Sequence, residues 1–168
     1  MQVLRQAGSD PAFLLKAMRE ASGELRRAVE GLPRWMLLRP GTGNDEDWCL
    51  LAIAAHMRDT EAGFLGQIET IVTMPESAMR HVDFDDIPLP EDYAKEDEDE
   101  LLEDFHYMRR RSAYTLWDIS DREWQLGALH PYRGRMTLME LVREIYRHDL
   151  EHLWQARRIT DYVQSSRR

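Results

Sequence analysis

From Met136 to its end the chain contains neither Gly nor Pro, and this stretch constrains everything else. Leu138, Leu141, Ile145, His148, His152, Gln155 and Ile159 recur at steps of three or four. That spacing is one face of a helix, predicted from Leu138 to about Tyr162. Thr137 followed three residues later by Glu140 reads as the capping box that starts it. Two imidazoles thus stand on successive turns of a core-facing stripe. A single inward histidine is commonly satisfied by a hydrogen bond, whereas a pair at i and i+4 is half of a metal site that needs a ligand from elsewhere.

Three further amphipathic segments supply the rest of a core. Asp10-Pro11 reads as N-cap and N1 of a helix over residues 11–30, with Leu14, Met18, Ala21, Leu25, Ala28 and Leu32 on its inner face. Gly31 and Pro33 end it. Residues 31–44 read as loop, with Trp35, Met36, Leu37 and Leu38 folding back over the core. A second helix is predicted from a cap at Asn44 or Asp45 to about Val72 or Thr73, before Met74-Pro75. Its inward stripe includes Trp48, Ala55, His56, Asp59, Gly63 and Gln67. Residues 74–95 form a long connection. A third helix starts in the acidic run, with Leu101, Phe105, Met108, Ser112, Leu116 and Ile119 facing inward. Residues 120–137 read as turn and loop, and Gln164–Arg168 as a frayed end. No strand is expected. Four such helices imply an all-α helical bundle forming one domain over residues 1–168.

A chain of 168 residues buries roughly 70% of its unfolded surface and needs no staple to fold. A bound metal would therefore be functional rather than structural. One cysteine, Cys49, excludes an internal disulfide and reads as a buried structural thiol. The absence of a leader pattern and of a long apolar run leads to the expectation of a soluble cytoplasmic protein with no membrane partner. Of the net charge of −9, residues 91–104 carry −8, leaving the remainder nearly neutral. That distribution lacks a phosphate-binding footprint, so nucleic acid is not an expected partner. The acidic run reads as a solvated helix start, and Arg109, Arg110 and Arg111 as a solvated helix face.

His56, His148 and His152 can converge in a bundle core, giving three nitrogens and an open position suited to Zn, Ni, Fe or Mn. Such an ion lowers the pKa of a bound water or thiol and polarises a reacting oxygen. Asp59, a turn beyond His56, is the candidate catalytic carboxylate. It reads as orienting a bound water or pairing with an arginine ahead of ligating the metal. Asp149 and Glu151 are turned to either side of the histidine stripe and read as surface or supporting groups. Gln155 is equally a pocket residue or a core-edge amide, His130 a turn residue before Pro131, and His81 and His106 surface residues.

Trp48, the run His56-Met57-Arg58-Asp59-Thr60-Glu61, the stretch from His130 to Leu138 with Gly134, Thr137 and Leu138, and His148-Asp149-Leu150-Glu151-His152 follow one another in an order that resembles the DinB/YfiT-like four-helix metalloproteins. The resemblance spans the second to fourth helices. It implies an up-down-down-up bundle, a divalent metal on His56, His148 and His152, and a homodimer. It also implies a small-molecule substrate and transfer chemistry using a low-molecular-weight thiol such as bacillithiol, mycothiol or glutathione. A metal-dependent transferase or hydrolase is one expectation. The alternative is a non-catalytic metal-binding or stress-response dimer that acts through partners.

Overall fold

The computed structural model describes residues 10–82 and 88–165. Its long helices are α1 (Pro11–Val29), α3 (Leu50–Thr73), α5 (Glu98–Thr115) and α6 (Leu138–Ser165). The short helices α2 (Arg34–Leu37) and α4 (Pro90–Tyr93) lie in the connections. A hairpin of β1 (Gly127–His130) and β2 (Gly134–Thr137) precedes α6. None of the described helices is long and apolar enough to cross a membrane.

Side-chain pairs between the helices fix their directions. Phe13 meets Tyr146 near the starts of α1 and α6, and Thr160 bonds the Ala28 carbonyl near their ends, so these two run parallel. Arg26 reaches Glu103 while Arg19 lies over Trp117 just beyond α5, so α5 runs against α1. Leu50 shares an apolar cluster with Leu101, and Arg111 pairs with Glu69, so α3 runs with α5. The order is up, down, down, up, as expected.

Capping explains the helix starts. Asp10 accepts the Ala12 N–H, Asp97 accepts from Asp99 and Glu100, and Thr137 and Glu140 exchange the bonds of a capping box. The start of α3 differs from expectation. Cys49, not Asn44 or Asp45, is its N-cap, with Sγ accepting the Ala52 N–H at 3.4 Å. Asp45 is drawn away because its carboxylate receives both Nε and Nη2 of Arg158 on α6, at 2.9 and 2.8 Å. Met36 and Leu37 cover the core as expected, but Trp35 faces solvent.

The hairpin corrects the all-loop reading of residues 120–137. Ala128 pairs with Met136 and His130 with Gly134, whose φ of 74° suits glycine. Strands of four residues are too short to show a period of two in sequence. Part of the long connection joins them through a parallel bridge between Ala78 and Leu129. Residues 83–87 of that connection, and residues 166–168 of the end expected to fray, lie outside the described residues; α6 itself continues to Ser165.

The core is divided in two. One apolar cluster gathers Leu25, Val29, Leu50, Ile53, Met57, Phe105, Ala156 and Ile159. The other gathers Leu14, Met18, Phe64, Ile68, Leu116, Leu141 and Ile145. Between them lies a waist of polar side chains: His56, Thr60 and Glu61 on α3, Arg109 and Ser112 on α5, and Asp149 and His152 on α6, all buried, with His148 half-buried. The site occupies this waist.

Candidate metal centre

His56, His148 and His152 each offer a ring nitrogen, and the three nitrogens lie within 4.8 Å of one another. The i and i+4 spacing on α6 brings the rings of His148 and His152 to 4.5 Å, and α3 delivers His56 across the bundle at 4.5 Å from His152. His56 Nε2 and His148 Nε2 face each other at 2.9 Å. Trp48 packs edge-on to His56 at 5.2 Å and against His152 at 5.3 Å, while Phe64 packs on His148 at 5.6 Å. These rings leave the imidazoles little freedom to turn.

Gln155 supports the group from behind. His152 Nδ1 lies 2.8 Å from Gln155 Oε1 and donates to it, which turns Nε2 toward the centre. The same amide lies against Asp45, whose carboxyl is held below its ordinary range by Arg158 first and by Gln155 as well. A chain of polar contacts thus runs from His152 to the loop before α3.

Burial sets the protonation of the two histidines on α6. It pushes His148 down to about 2, helped by the charges that His152, His56 and Arg109 would carry. Burial also lowers His152, against the opposing pull of Gln155. Neutral imidazole is the form that ligates a metal. Three converging imidazole nitrogens, one of them oriented by an amide, fit a divalent ion with a remaining open position. His148 and His152 line a cavity of about 600 Å³ together with Arg133, Glu144, Arg147, Glu151 and Arg158. Arg133 is paired with Glu144 and Arg158 with Asp45, whereas Arg147 and Glu151 have no ion pair among the described residues.

The structure brings the three expected histidines together and sends Asp59 elsewhere. Asp59 faces solvent, 63% exposed at the side chain, and accepts from Arg58 Nε at 2.8 Å. A step of three residues from His56 rotates it past the edge of the buried face. Gln155 resolves as a supporting pocket residue. His130 lies in β1, buried, 3.3 Å from the exposed His81, and Tyr132 packs beside both rings. His106 is half-buried against Ser22 at 2.9 Å rather than free on the surface.

Arg109 overturns the reading of a solvated arginine face. It is 2% exposed and lies between Glu61 and Asp149, both also buried. Burial raises the Glu61 carboxyl, with Arg109 opposing it. The one sequence signal that could have found this group is a helical step: Arg109 lies four residues after Phe105 and three before Ser112, on the inward stripe.

No protein-family model matches the chain, and no curated protein matches it. Among solved structures it is similar to YfiT from Bacillus subtilis, described as a probable metal-dependent hydrolase with an unusual four-helix bundle topology. The TM-score is 0.75 at 16% identity, covering 90% of this chain and 86% of that one. The expectation drawn from Trp48 and the histidine motifs therefore holds at the level of architecture: this chain is a YfiT-like four-helix bundle whose three-histidine cluster can hold a metal ion.

Proposed function

We propose that the protein is a divalent-metal-dependent enzyme acting on a small molecule admitted to the cavity at His56, His148 and His152, with water or a low-molecular-weight thiol as the attacking group. The observation that carries this reading is the convergence of three imidazole nitrogens, with His148 and His152 lining a cavity of about 600 Å³. A divalent cation held there would supply Lewis-acid polarisation and a lowered pKa to the water or thiol brought to its open position. The likeness to YfiT supports the hydrolase side of the reading, and the motif resemblance supports the thiol side.

The remaining work falls to the chain's own side chains. Gln155 holds the His152 ring in one tautomer, and Trp48 and Phe64 wall off the imidazoles laterally. Arg147, unpaired among the described residues, is placed to receive an anionic group of the substrate or of a thiol such as glutathione. Glu151, also unpaired there and one residue before His152, takes the proton that Asp59 is too far out to take. A cytoplasmic homodimer that binds no nucleic acid belongs to the same reading, and light scattering checks the dimer.

The deciding experiment is elemental analysis of untagged wild-type protein and His148→Ala, followed by turnover assays with ester and electrophile substrates, with and without thiols. About one divalent ion per chain, lost in the variant, together with turnover that Glu151→Gln lowers without loss of metal, is the expected result. No metal after incubation with Zn²⁺, Ni²⁺, Fe²⁺ or Mn²⁺ overturns the reading. Metal without turnover leaves the non-catalytic metal-binding protein.

A further inference from the structure

One guanidinium at the waist touches all four long helices. Arg109 on α5 donates from Nη1 to the Met18 carbonyl of α1 at 3.2 Å. Both of its terminal nitrogens donate to the Asp149 carboxylate on α6, Nη2 to Oδ1 at 2.9 Å. The same Nη2 lies 2.8 Å from Glu61 Oε2 on α3. Glu61 Oε1 accepts the Ser112 hydroxyl at 2.6 Å, and the Phe105 ring closes the underside 4.9 Å from the guanidinium carbon.

Stability does not account for this arrangement. Taking two carboxylates and a guanidinium out of water costs about what their attraction returns, and apolar side chains of similar volume often fill such a space as well or better. The ionic cluster supplies something an apolar filling lacks, which is direction: a planar fork with short bonds holds its partners at fixed positions. Its two carboxylates stand on the two helices that carry the imidazoles. Asp149 adjoins His148, and Glu61 lies five residues beyond His56, about 7.5 Å along α3. His56 reaches the other two histidines across a helix–helix contact, so its distance from them varies with any sliding of α3 against α6. Nη2 thus faces a carboxylate from each of these helices, hydrogen-bonded to that of Asp149 and ion-paired with that of Glu61.

We propose that Glu61, Arg109 and Asp149 form a positioning cluster that fixes the axial offset of α3 against α6, and with it the spacing of His56 from His148 and His152 that a divalent ion requires. This rests on the metal-site reading above. None of the three touches the reacting atoms; they act through the ligands.

The test measures Zn²⁺ affinity by competition with a chelating dye, the visible spectrum of the Co²⁺ form, and melting of the metal-free protein. It compares wild type, Arg109→Lys, and the combined Glu61→Leu, Arg109→Met, Asp149→Leu variant. The combined variant is expected to stay helical and melt near wild type, because it leaves no charge unpaired. Its Zn²⁺ affinity is expected to fall about ten- to hundredfold, with an altered Co²⁺ spectrum. Arg109→Lys keeps the charge but loses the fork. It is expected to weaken Zn²⁺ roughly tenfold at unchanged helicity, and it decides the matter if the combined variant does not fold. Zn²⁺ affinity and a Co²⁺ spectrum equal to wild type in a folded variant overturn the proposal. Failure of the metal site itself would show differently, as absence of binding in the wild type.

Discussion

Two polar clusters share the waist of the bundle, and they differ in what they leave undone. The Glu61–Arg109–Asp149 group largely answers its own charges: each Asp149 oxygen accepts from Arg109, and Glu61 accepts from Ser112. The histidine group turns nitrogens toward one another, His56 Nε2 to His148 Nε2 at 2.9 Å, beside a cavity. The first turns its charges on one another, leaving Glu61 Oε2 and Arg109 Nε without a hydrogen bond among the described residues; the second is arranged around a common centre. Burial alone therefore does not mark a functional site in this fold. What marks it is where the remaining donor and acceptor capacity points.

Breaking each cluster in turn should separate the two by what happens to the fold. His148→Ala or His152→Ala should abolish stoichiometric metal while leaving the circular dichroism helical, measured by elemental analysis beside the spectrum. Retained metal in both would sink the triad. Arg109→Met should do the reverse to the fold. It leaves two buried carboxylates without their cation and should cost about 3–5 kcal/mol in urea unfolding. A loss below about 1 kcal/mol would mean that the cluster is wetter than its burial implies.

Smaller effects sharpen the same contrast. Gln155→Ala should weaken metal binding about ten- to hundredfold by freeing the His152 ring, with unfolding little changed. Asp59→Asn should alter neither metal content nor stability beyond about 0.5 kcal/mol, because its carboxylate lies on the surface beside Arg58. Metal loss in that variant would restore Asp59 to the site. The least effect is a pH dependence from Asp45. Its folded pKa is lowered by Arg158, so the native state binds fewer protons than the unfolded one. The stability Asp45 contributes is then present above the ordinary carboxylate range and is lost as pH falls through the lowered value. Urea midpoints from about pH 6 to about pH 3 should fall less steeply in Arg158→Gln than in wild type.

The two clusters were also unequally legible. His148 and His152 announce themselves because both lie on one helix, where a step of four fixes their relation. His56 could be assigned to the buried face of α3, and Trp48 to its neighbourhood, by the same periodicity. Arg109 could not, although it shares the inward stripe of Phe105 and Ser112. An arginine is ordinarily exposed, and the Glu61 and Asp149 that hold it inside are 48 and 40 residues away in the chain. For Asp59, of the two roles ranked ahead of ligation, the structure shows the arginine pairing. Asp59 sat near the face by count, but a neighbouring arginine and the helix edge took it outward. The hairpin escaped notice because its short strands are defined by pairing with each other and by the bridge from Ala78.

The sequence by itself determined where the four long helices lie, which of their faces are apolar, where Asp10 and Thr137 start the first and last, and that three histidines lie on inward stripes. Those properties depend on residues within a few positions of one another, and the helical repeat is enough to read them. Tertiary structure decided that a polar waist divides the core, that Arg109 lies within it, that Gln155 orients His152, and that Arg147 and Glu151 rather than Asp59 line the cavity. Each of these depends on which side chains meet across helices, because a buried charge is tolerable only where distant partners arrive to receive it.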